Sequence, residues 1–266
     1  MSGLPVIGSD APWSGGVHSP RLRCLLAPNP SPMTLDGTNT WLVGDGDELV
    51  VVDPGPEDEG HLGSIAQAGH ITQILLTHGH PDHSEGARRL HDMTRAPVRA
   101  LDPDHTLGSE GLAAGDVVLA GDVEIHVVAT PGHTADCLSF LVRPDQALLT
   151  GDTVLGRGTT VVAYPDGDLG DYLRSLRTLL ELAIDQEAAH LLPGHGPTLP
   201  EPVAVLEAYL QHRQERLEQV RVAWAGGRLD AEQIVDIVYA DIPPQVRWAA
   251  LASTLAQVAY LEGGQI

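Results

Sequence analysis

The segment 77–83, THGHPDH, constrains this chain more than any other part of it. It places three imidazoles and one carboxylate within six residues, directly after an apolar run. Both groups suit Zn²⁺, which can lower the pKa of a bound water to near neutrality. His78 and His80 point the same way in extended backbone, while Asp82 and His83 turn toward a neighbouring ion. The segment therefore predicts a metal site, provided that other parts of the chain supply partners.

Three later positions supply those partners, each at the end of an apolar run: His133 in TPGHT, Asp152 in TGDT and His195 in LPGHG. Taken singly, each fits a turn with a solvated polar side chain. Together with segment 77–83 they give five histidines and two aspartates, enough for two metals that share a bridging carboxylate and a bridging water. The other eight histidines, His212 among them, show no ligand pattern, and we expect ordinary surface or core residues there.

Hydrophobic periodicity predicts a mixed α/β chain followed by an all-helical part. Apolar runs bounded by turn residues predict strands, and three hairpins make a purely parallel sheet improbable. We expect an irregular N-terminal arm over 1–20, a catalytic domain over 21–200 and a helical domain over 201–266. Strands are predicted at 21–27, 38–43, 48–53, 71–77, 97–101, 117–120, 123–129, 137–142, 147–150 and 190–193, and helices at 58–69, 84–94, 170–184, 203–224, 230–239 and 244–262.

Charge and cysteine content narrow the class of protein. The net charge is −21, and every basic residue other than histidine is arginine, which excludes Schiff-base and P-loop lysine chemistry. So negative a chain disfavours long-range binding to phosphate backbones, and we expect no stable binding to duplex DNA. Two cysteines outside any CxxC pair favour a reducing compartment, and no apolar run is long enough for a membrane span. We expect a cytoplasmic protein without membrane contact.

The complete ligand pattern resembles that of the metallo-β-lactamase superfamily, whose hallmark is HxHxDH followed by His, Asp and His. The resemblance implies an αββα sandwich with a two-metal site at one edge. It implies that Asp53, in the segment VDPG, supports the histidine loop by hydrogen bonding. It assigns His78, His80 and His133 to the first metal, Asp82, His83 and His195 to the second, and Asp152 to the bridge.

Within that superfamily, segments 37–44, 151–160 and 193–197 resemble the branch that contains β-lactamase-like protein 2. This branch includes single-strand-selective endoribonucleases and carries a C-terminal winged-helix-like segment. The segment 212–216, HRQER, falls where the branch has an HRxxR-type helix. Because the sequence ends just after the third predicted helix, we expect the wing hairpin to be missing or vestigial.

The resemblance implies two Zn²⁺ as cofactors, with iron or manganese as alternatives. Flavodiiron oxygen reductases of this fold carry an acid in the place of His80, which favours zinc, whereas a mononuclear iron dioxygenase can retain the same motif. We expect a hydrolase in which Asp82 and Asp152 fix a metal-bridging hydroxide. True β-lactamases lack an aspartate that matches Asp152.

The substrate stays open between a phosphodiester of single-stranded RNA and a thioester or lactone, as in glyoxalase-II-like relatives. A metal-stabilised binding module without catalysis is the third alternative, and the oligomeric state is open. Five residues beside the ligand motifs are candidates to contact substrate: Asn39, Thr40, Arg157, Thr159 and Thr160. Arginine at such a position can bind a phosphate or carboxylate.

Overall fold

The computed structural model describes residues 11–44, 46–224 and 228–263 of the chain. Of the predicted N-terminal arm, residues 1–10 therefore lie outside the described residues. The prediction that the arm is irregular is wrong for Gly16–Ser19, which forms an edge strand paired with Leu22–Leu26. This short strand is largely exposed, so it shows none of the apolar alternation that reveals a half-buried strand.

The first sheet has six strands in the same order in space as in sequence: β1 (Gly16–Ser19), β2 (Leu22–Leu26), β3 (Asn39–Val43), β4 (Glu48–Val52), β5 (His70–Leu75) and β6 (Val98–Arg99). Strands β1 to β4 pair antiparallel, and β4, β5 and β6 pair parallel. Parallel neighbours need crossover connections. The helices α1 (Glu59–Ala66), α2 (Pro81–Ser84) and α3 (Ala87–Thr94) lie in these crossovers.

The second sheet also has six strands: β7 (Val117–Ala120), β8 (Val123–Ala129), β9 (Leu138–Val142), β10 (Ala147–Gly151), β11 (His190–Pro193) and β12 (Leu199–Pro200). Only β10 and β11 pair parallel, and their crossover contains α4 (Leu169–Asp185). Asp168 begins α4 as its N-cap, since its carboxylate accepts a hydrogen bond from the Asp171 N–H. The two predicted hairpins of this sheet are present at β7–β8 and β9–β10.

The two sheets pack face to face around one apolar core, to which the first contributes Trp41 and Val50 and the second Phe140 and Leu149. The outer face of the first sheet is covered by α1 and α3, and that of the second by α4 with the C-terminal helices. Because both faces of each sheet are covered, strands such as β3 and β9 are buried at every position. The layer order confirms the predicted αββα sandwich.

The chain after the sandwich forms three helices, α5 (Pro202–Trp224), α6 (Ala231–Val238) and α7 (Arg247–Glu262). Helix α6 begins with a capping box, in which the side chains of Asp230 and Gln233 each accept a hydrogen bond from the other's backbone N–H group. Leu206, Tyr209 and Ala256 pack on α4 and join the core of the second sheet's outer face. Residues 202–224 and 228–263 contain no strand, and none of the described helices is long and apolar enough to cross a membrane.

Candidate metal centre

The seven predicted ligands lie in segments that follow strands of both sheets, and two of them, Asp82 and His83, are in α2. His78, His80, Asp82 and His83 follow β5 of the first sheet, while His133, Asp152 and His195 follow β8, β10 and β11 of the second. Although these positions are far apart in sequence, the packing of the two sheets brings all seven side chains together. They form one group of His78, His80 and His133 and another of Asp82, His83 and His195, and Asp152 with His78 and His83 forms a third that overlaps both.

The first group consists of His78, His80 and His133. The Nε2 atoms of His78 and His133 each lie 3.1 Å from Nδ1 of His80. His78 and His133 are buried and His80 is half-buried, so the three nitrogens converge at the edge of the interior. Three imidazoles arranged in this way could hold one ion and leave a fourth position open.

The second group consists of Asp82, His83 and His195. Nε2 of His195 lies 3.1 Å from Oδ2 of Asp82 and 3.2 Å from Nε2 of His83. Both histidines are fully buried, whereas the Asp82 side chain is 30 % exposed. This group therefore presents one solvent-accessible carboxylate beside two buried imidazoles.

Asp152 lies between the two groups and contacts members of each. Its Oδ2 is 3.7 Å from Nε2 of His133 and 3.4 Å from Nε2 of His195, and its Oδ1 is 3.5 Å from Nε2 of His83. This is the location that a carboxylate shared by two ions must occupy.

The opposite ring nitrogens of the histidines are fixed by hydrogen bonds. Nδ1 of His83 lies 2.8 Å from Oδ2 of Asp53, and Nδ1 of His133 lies 2.7 Å from the carbonyl oxygen of Val161. An acceptor at Nδ1 holds the proton there and leaves the Nε2 lone pair free for a metal.

Asp53 uses both carboxylate oxygens for this purpose. Besides His83, its oxygens accept hydrogen bonds from the backbone N–H of Thr77, at 2.8 Å, and from the Thr77 hydroxyl, at 2.7 Å. That hydroxyl also lies 3.0 Å from Nδ1 of His78. A single buried carboxylate thus links the β5 loop to one ligand of each group, as the resemblance implied.

The surroundings of Asp152 and His78 favour the forms of these side chains that bind a cation. Burial alone would raise the pKa of the Asp152 carboxyl, but the neighbouring His195 and His83 hold it well below its usual value. Burial, reinforced by the imidazole of His83, keeps the pKa of His78 well below its usual value. An ionised carboxylate and a neutral imidazole are the forms that bind a metal.

At the second group, the neighbouring carboxylates raise the pKa values of the histidines more than burial lowers them. Burial would lower the pKa of His195, yet Asp152 and Asp82 raise it to about 9. Asp152 and Asp53 likewise hold the pKa of His83 well above its usual value against the effect of burial. Without a metal, the carboxylates therefore draw protons onto these two imidazoles, and a divalent cation would take the place of those protons.

The residues present fit a pair of small divalent ions. Two ligand atoms that are 2.0–2.1 Å from a tetrahedral zinc ion lie about 3.3 Å apart, and the shortest contact within each of the two groups is 3.1 Å. Oδ1 of Asp152 is buried and has no hydrogen-bond partner among the described residues. A Cβ on Gly194 would lie 2.6 Å from that oxygen and 2.7 Å from Cε1 of His83, so glycine leaves the room that these ligands need.

The expected substrate contacts at Asn39 are not present, because its side chain is an internal structural link. Asn39 is fully buried, and its Nδ2 donates to the carbonyl oxygens of Pro193, at 2.9 Å, and Gly196, at 2.8 Å. Its Oδ1 accepts a 2.7 Å hydrogen bond from Nε1 of Trp13. Asn39 therefore fixes the loop that carries His195 and does not face an open cleft.

Thr40 and Thr160 are buried, and their hydroxyl groups support the backbone of the site. The Thr40 hydroxyl donates to the carbonyl oxygen of Asp53, at 2.7 Å, and lies 2.8 Å from Nε2 of His61. The Thr160 hydroxyl donates to the carbonyl oxygen of Asp152 at 2.6 Å. Both side chains therefore position the backbone beside a site residue.

Arg157 and Thr159 were the remaining candidates. Arg157 forms an ion pair with Asp36 and donates to the carbonyl oxygen of Ala11 at 3.0 Å, so its guanidinium ties two loops together. Thr159 is half-buried and lines a cavity against the C-terminal helices. Of the five candidates, Thr159 and the buried Thr160 line this cavity.

Sequence reasoning missed several groups around the ligands. The carbonyl oxygens of Val161 and Gly37 accept from Nδ1 of His133 and His195, and no sequence signal marks a backbone acceptor of this kind. Position 79 carries a detectable signal, since it is a glycine inside the ligand motif. A Cβ there would lie 2.5 Å from Nε2 of His105, which packs over the motif.

Comparison with known proteins agrees with this geometry. The family described as the Metallo-beta-lactamase superfamily matches residues 33–195. The chain is 34 % identical over 241 residues to the Beta-lactamase-like protein 2 homolog of Caenorhabditis elegans, a match that covers 85 % of this chain and 79 % of that protein. The Drosophila melanogaster homolog is 33 % identical over 251 residues, covering 86 % of this chain and 82 % of that protein.

Solved structures show the same architecture. A Beta-lactamase domain protein from Burkholderia ambifaria superposes with a TM-score of 0.77 at 26 % identity, covering 96 % of this chain and 91 % of that one. A metallo-beta-lactamase family protein from Thermus thermophilus gives a TM-score of 0.78 at 22 % identity, covering 94 % of this chain and 95 % of that one. Because these matches span nearly the whole chain, they include the C-terminal helices as well as the sandwich.

Proposed function

The chain belongs to the metallo-beta-lactamase superfamily, and from this premise we propose that it is a hydrolase that uses two zinc ions. The observation that carries the proposal is the convergence of two ligand groups on one shared carboxylate, that of Asp152. The first ion would be held by His78, His80 and His133, and the second by Asp82, His83 and His195.

When bound, the two ions would lower the pKa of an attacking water and polarise the substrate oxygen. Two carboxylates of the protein would position the attacking water and accept its proton. Asp152 lies between the two groups and fixes the position of the water. Asp82 is more exposed than Asp152, at 30 % against 12 %, so we propose that its carboxylate accepts the proton of the water and passes it to solvent.

The first candidate substrate is a phosphodiester of single-stranded RNA. It rests on segments 37–44, 151–160 and 193–197, which resemble the branch that contains β-lactamase-like protein 2, and on the similarity to two homologs of that protein. A pair of metal ions suits this reaction, because it can stabilise both the attacking and the leaving oxygen of a phosphoryl group.

A thioester or lactone is the second candidate, and the charge of the chain favours it. At a net charge of −21, the protein repels a polyanion at long range, whereas an uncharged ester approaches without that penalty. The attack by water and the roles of Asp82 and Asp152 are the same in both cases.

The test is to incubate the zinc-loaded protein with labelled single-stranded RNA, duplex RNA and a panel of thioesters and lactones. Asp82→Ala is the blank, and Asp122→Asn, an exposed acid in the turn between β7 and β8, is the matched control. We expect turnover of one substrate class by the wild type and by Asp122→Asn, and loss of turnover in Asp82→Ala with the fold retained.

Three results would contradict the proposal. RNA cleavage that persists in Asp82→Ala indicates a contaminating nuclease. Iron in place of zinc, in protein purified without added metal, supports the dioxygenase alternative. Two bound zinc ions without turnover of any ester, thioester or RNA support a metal-stabilised binding module.

A further inference from the structure

A cavity of about 220 Å³ lies between the sandwich and the C-terminal helices. One wall is the segment 159–161, which follows the Asp152 loop. The opposite wall includes His212, Arg213 and Arg216 of α5. These three residues are spaced at i, i+1 and i+4, and residues four apart lie on the same face of a helix. The cavity therefore has a basic wall on one helix.

Two of the basic residues are buried with polar atoms that lack partners. His212 and Arg213 are each 5 % exposed. Within the described part of the chain, neither ring nitrogen of His212 nor Nε of Arg213 has a hydrogen-bond partner. Arg213 uses another guanidinium nitrogen to donate to the carbonyl oxygen of Thr160. Buried polar groups in proteins are nearly always hydrogen-bonded, so this set calls for a polar occupant of the cavity.

The charge around the cavity indicates what that occupant is. Among the described residues, neither Arg213 nor Arg216 forms an ion pair. Their guanidinium groups instead lie over the rings of Tyr172, at 4.8 Å, and Tyr239, at 4.5 Å. In a chain with 36 acidic and 15 basic residues, two such cations side by side form a local excess of positive charge. The pKa of His212 reflects this, since burial and then the two arginines lower it to about 4.

We propose that this cavity binds an oxyanion, a phosphate or carboxylate group, between His212, Arg213 and Arg216. Nε of Arg213 and a ring N–H of His212 would supply the hydrogen-bond donors that now lack acceptors, and both guanidinium groups would supply charge. The proposal does not depend on the reaction proposed above, because it concerns residues outside the metal centre.

The cavity is nevertheless next to the metal centre through one stretch of backbone. Val161 lines the cavity, and its carbonyl oxygen accepts the 2.7 Å hydrogen bond from Nδ1 of His133. Thr160 accepts from Arg213 and donates to the carbonyl oxygen of Asp152. The oxyanion could thus be the charged end of a substrate or a free anion.

The experiment measures the binding of inorganic phosphate to the zinc-loaded full chain by isothermal titration calorimetry. Wild type is compared with Arg216→Gln and His212→Leu, and with Arg221→Gln as the matched control. Arg221 is on the same helix but exposed and paired with Glu218. His212→Leu removes no hydrogen bond among the described residues, so it tests the site even if Arg216→Gln unfolds. Circular dichroism checks the fold of each variant.

We expect Arg216→Gln and His212→Leu each to weaken one phosphate-binding event about tenfold, because the first loses a charge and the second a hydrogen-bond donor that contacts the anion. Arg221→Gln should bind as the wild type does. Phosphate also binds zinc, so equal titration curves for all four proteins would place all binding at the metal centre and overturn the proposal.

Kinetics then distinguishes the two sources of the oxyanion. If the cavity takes the end of a substrate, Arg216→Gln raises the KM of an ester that ends in phosphate about tenfold relative to the KM of its uncharged counterpart. An unchanged ratio, together with weakened binding of phosphate, identifies a free anion. If no ester is hydrolysed, the proposed function fails while the calorimetry still decides the question of the cavity.

Discussion

Replacing Asp53 with asparagine tests how the second group of ligands is oriented. The Asp53 carboxylate is buried and accepts from Nδ1 of His83 and from the backbone and hydroxyl of Thr77. Asp53 also has a φ of 55°, a left-handed conformation that asparagine tolerates better than most residues. Asp53→Asn therefore keeps the backbone and shape and changes only the chemistry of one atom.

The expected effect is selective for one metal. Asparagine can still accept from the Thr77 N–H through its oxygen, but its NH₂ group then faces the Nδ1–H of His83. His83 must then move its proton to Nε2 or turn its ring away. Either change leaves the second group without the Nε2 lone pair that would bind the metal. The His78 contact survives, because the Thr77 hydroxyl can accept from the amide and from His78. Loss of such a supporting hydrogen bond weakens metal binding about 10–100-fold, or about 1.4–2.8 kcal/mol.

The assay is competition for zinc with a chromophoric chelator, together with the zinc content after dialysis. Wild type and Asp122→Asn should retain two tight sites, whereas Asp53→Asn should retain one tight and one weakened site. Two sites of unchanged affinity in Asp53→Asn would refute the role of Asp53 in orienting His83. Loss of both sites with loss of the fold would show instead that Asp53 holds the β5 loop as a whole.

Three further predictions follow from the geometry. A chelator should abolish turnover and added zinc should restore it, measured as initial rate; activity that survives in zinc-free protein contradicts a metal-dependent reaction. Gly194→Ala should lower zinc content, because its Cβ would meet Asp152 and His83, whereas Gly63→Ala, which meets nothing within 4 Å, should keep the metal and stabilise α1 by about 0.5–1 kcal/mol. His212→Gln should flatten the acid side of the stability profile. The folded pKa of His212, about 4, is below the ordinary 6.5, so between these values the unfolded chain binds the additional proton and the wild type loses stability as the pH falls. Urea unfolding at pH 7 and pH 4.5 checks this, and an equal loss in both proteins would contradict it.

The ligand set could be predicted from the sequence because it is encoded locally. A cluster such as His78 to His83, and single ligands after apolar runs, keep their signature in any context, and the structure brings all seven together. The capping box at Asp230 is likewise encoded locally, since it depends on two residues three positions apart.

The residues whose contacts the sequence did not predict have partners far away in sequence. Asn39 is adjacent to a motif, yet its role is set by Pro193 and Trp13, which no local pattern links to it. Thr160 and Arg213 are 53 positions apart and meet only through the packing of α5 on the sandwich. Burial and partner choice at these positions are properties of the tertiary structure, so periodicity carried no information about them.

The origin of the ligands in both sheets has a mechanical consequence. Each ligand group takes two residues from the loop after β5 and one from the second half of the chain, and Asp152 of the second half lies between them. Bound metal would act as a cross-link between the two halves of the sandwich. A chain cut in segment 100–116, between the two sheets, should then stay associated in the presence of zinc and fall apart more readily in a chelator, so that the metal centre reports whether both halves are correctly docked.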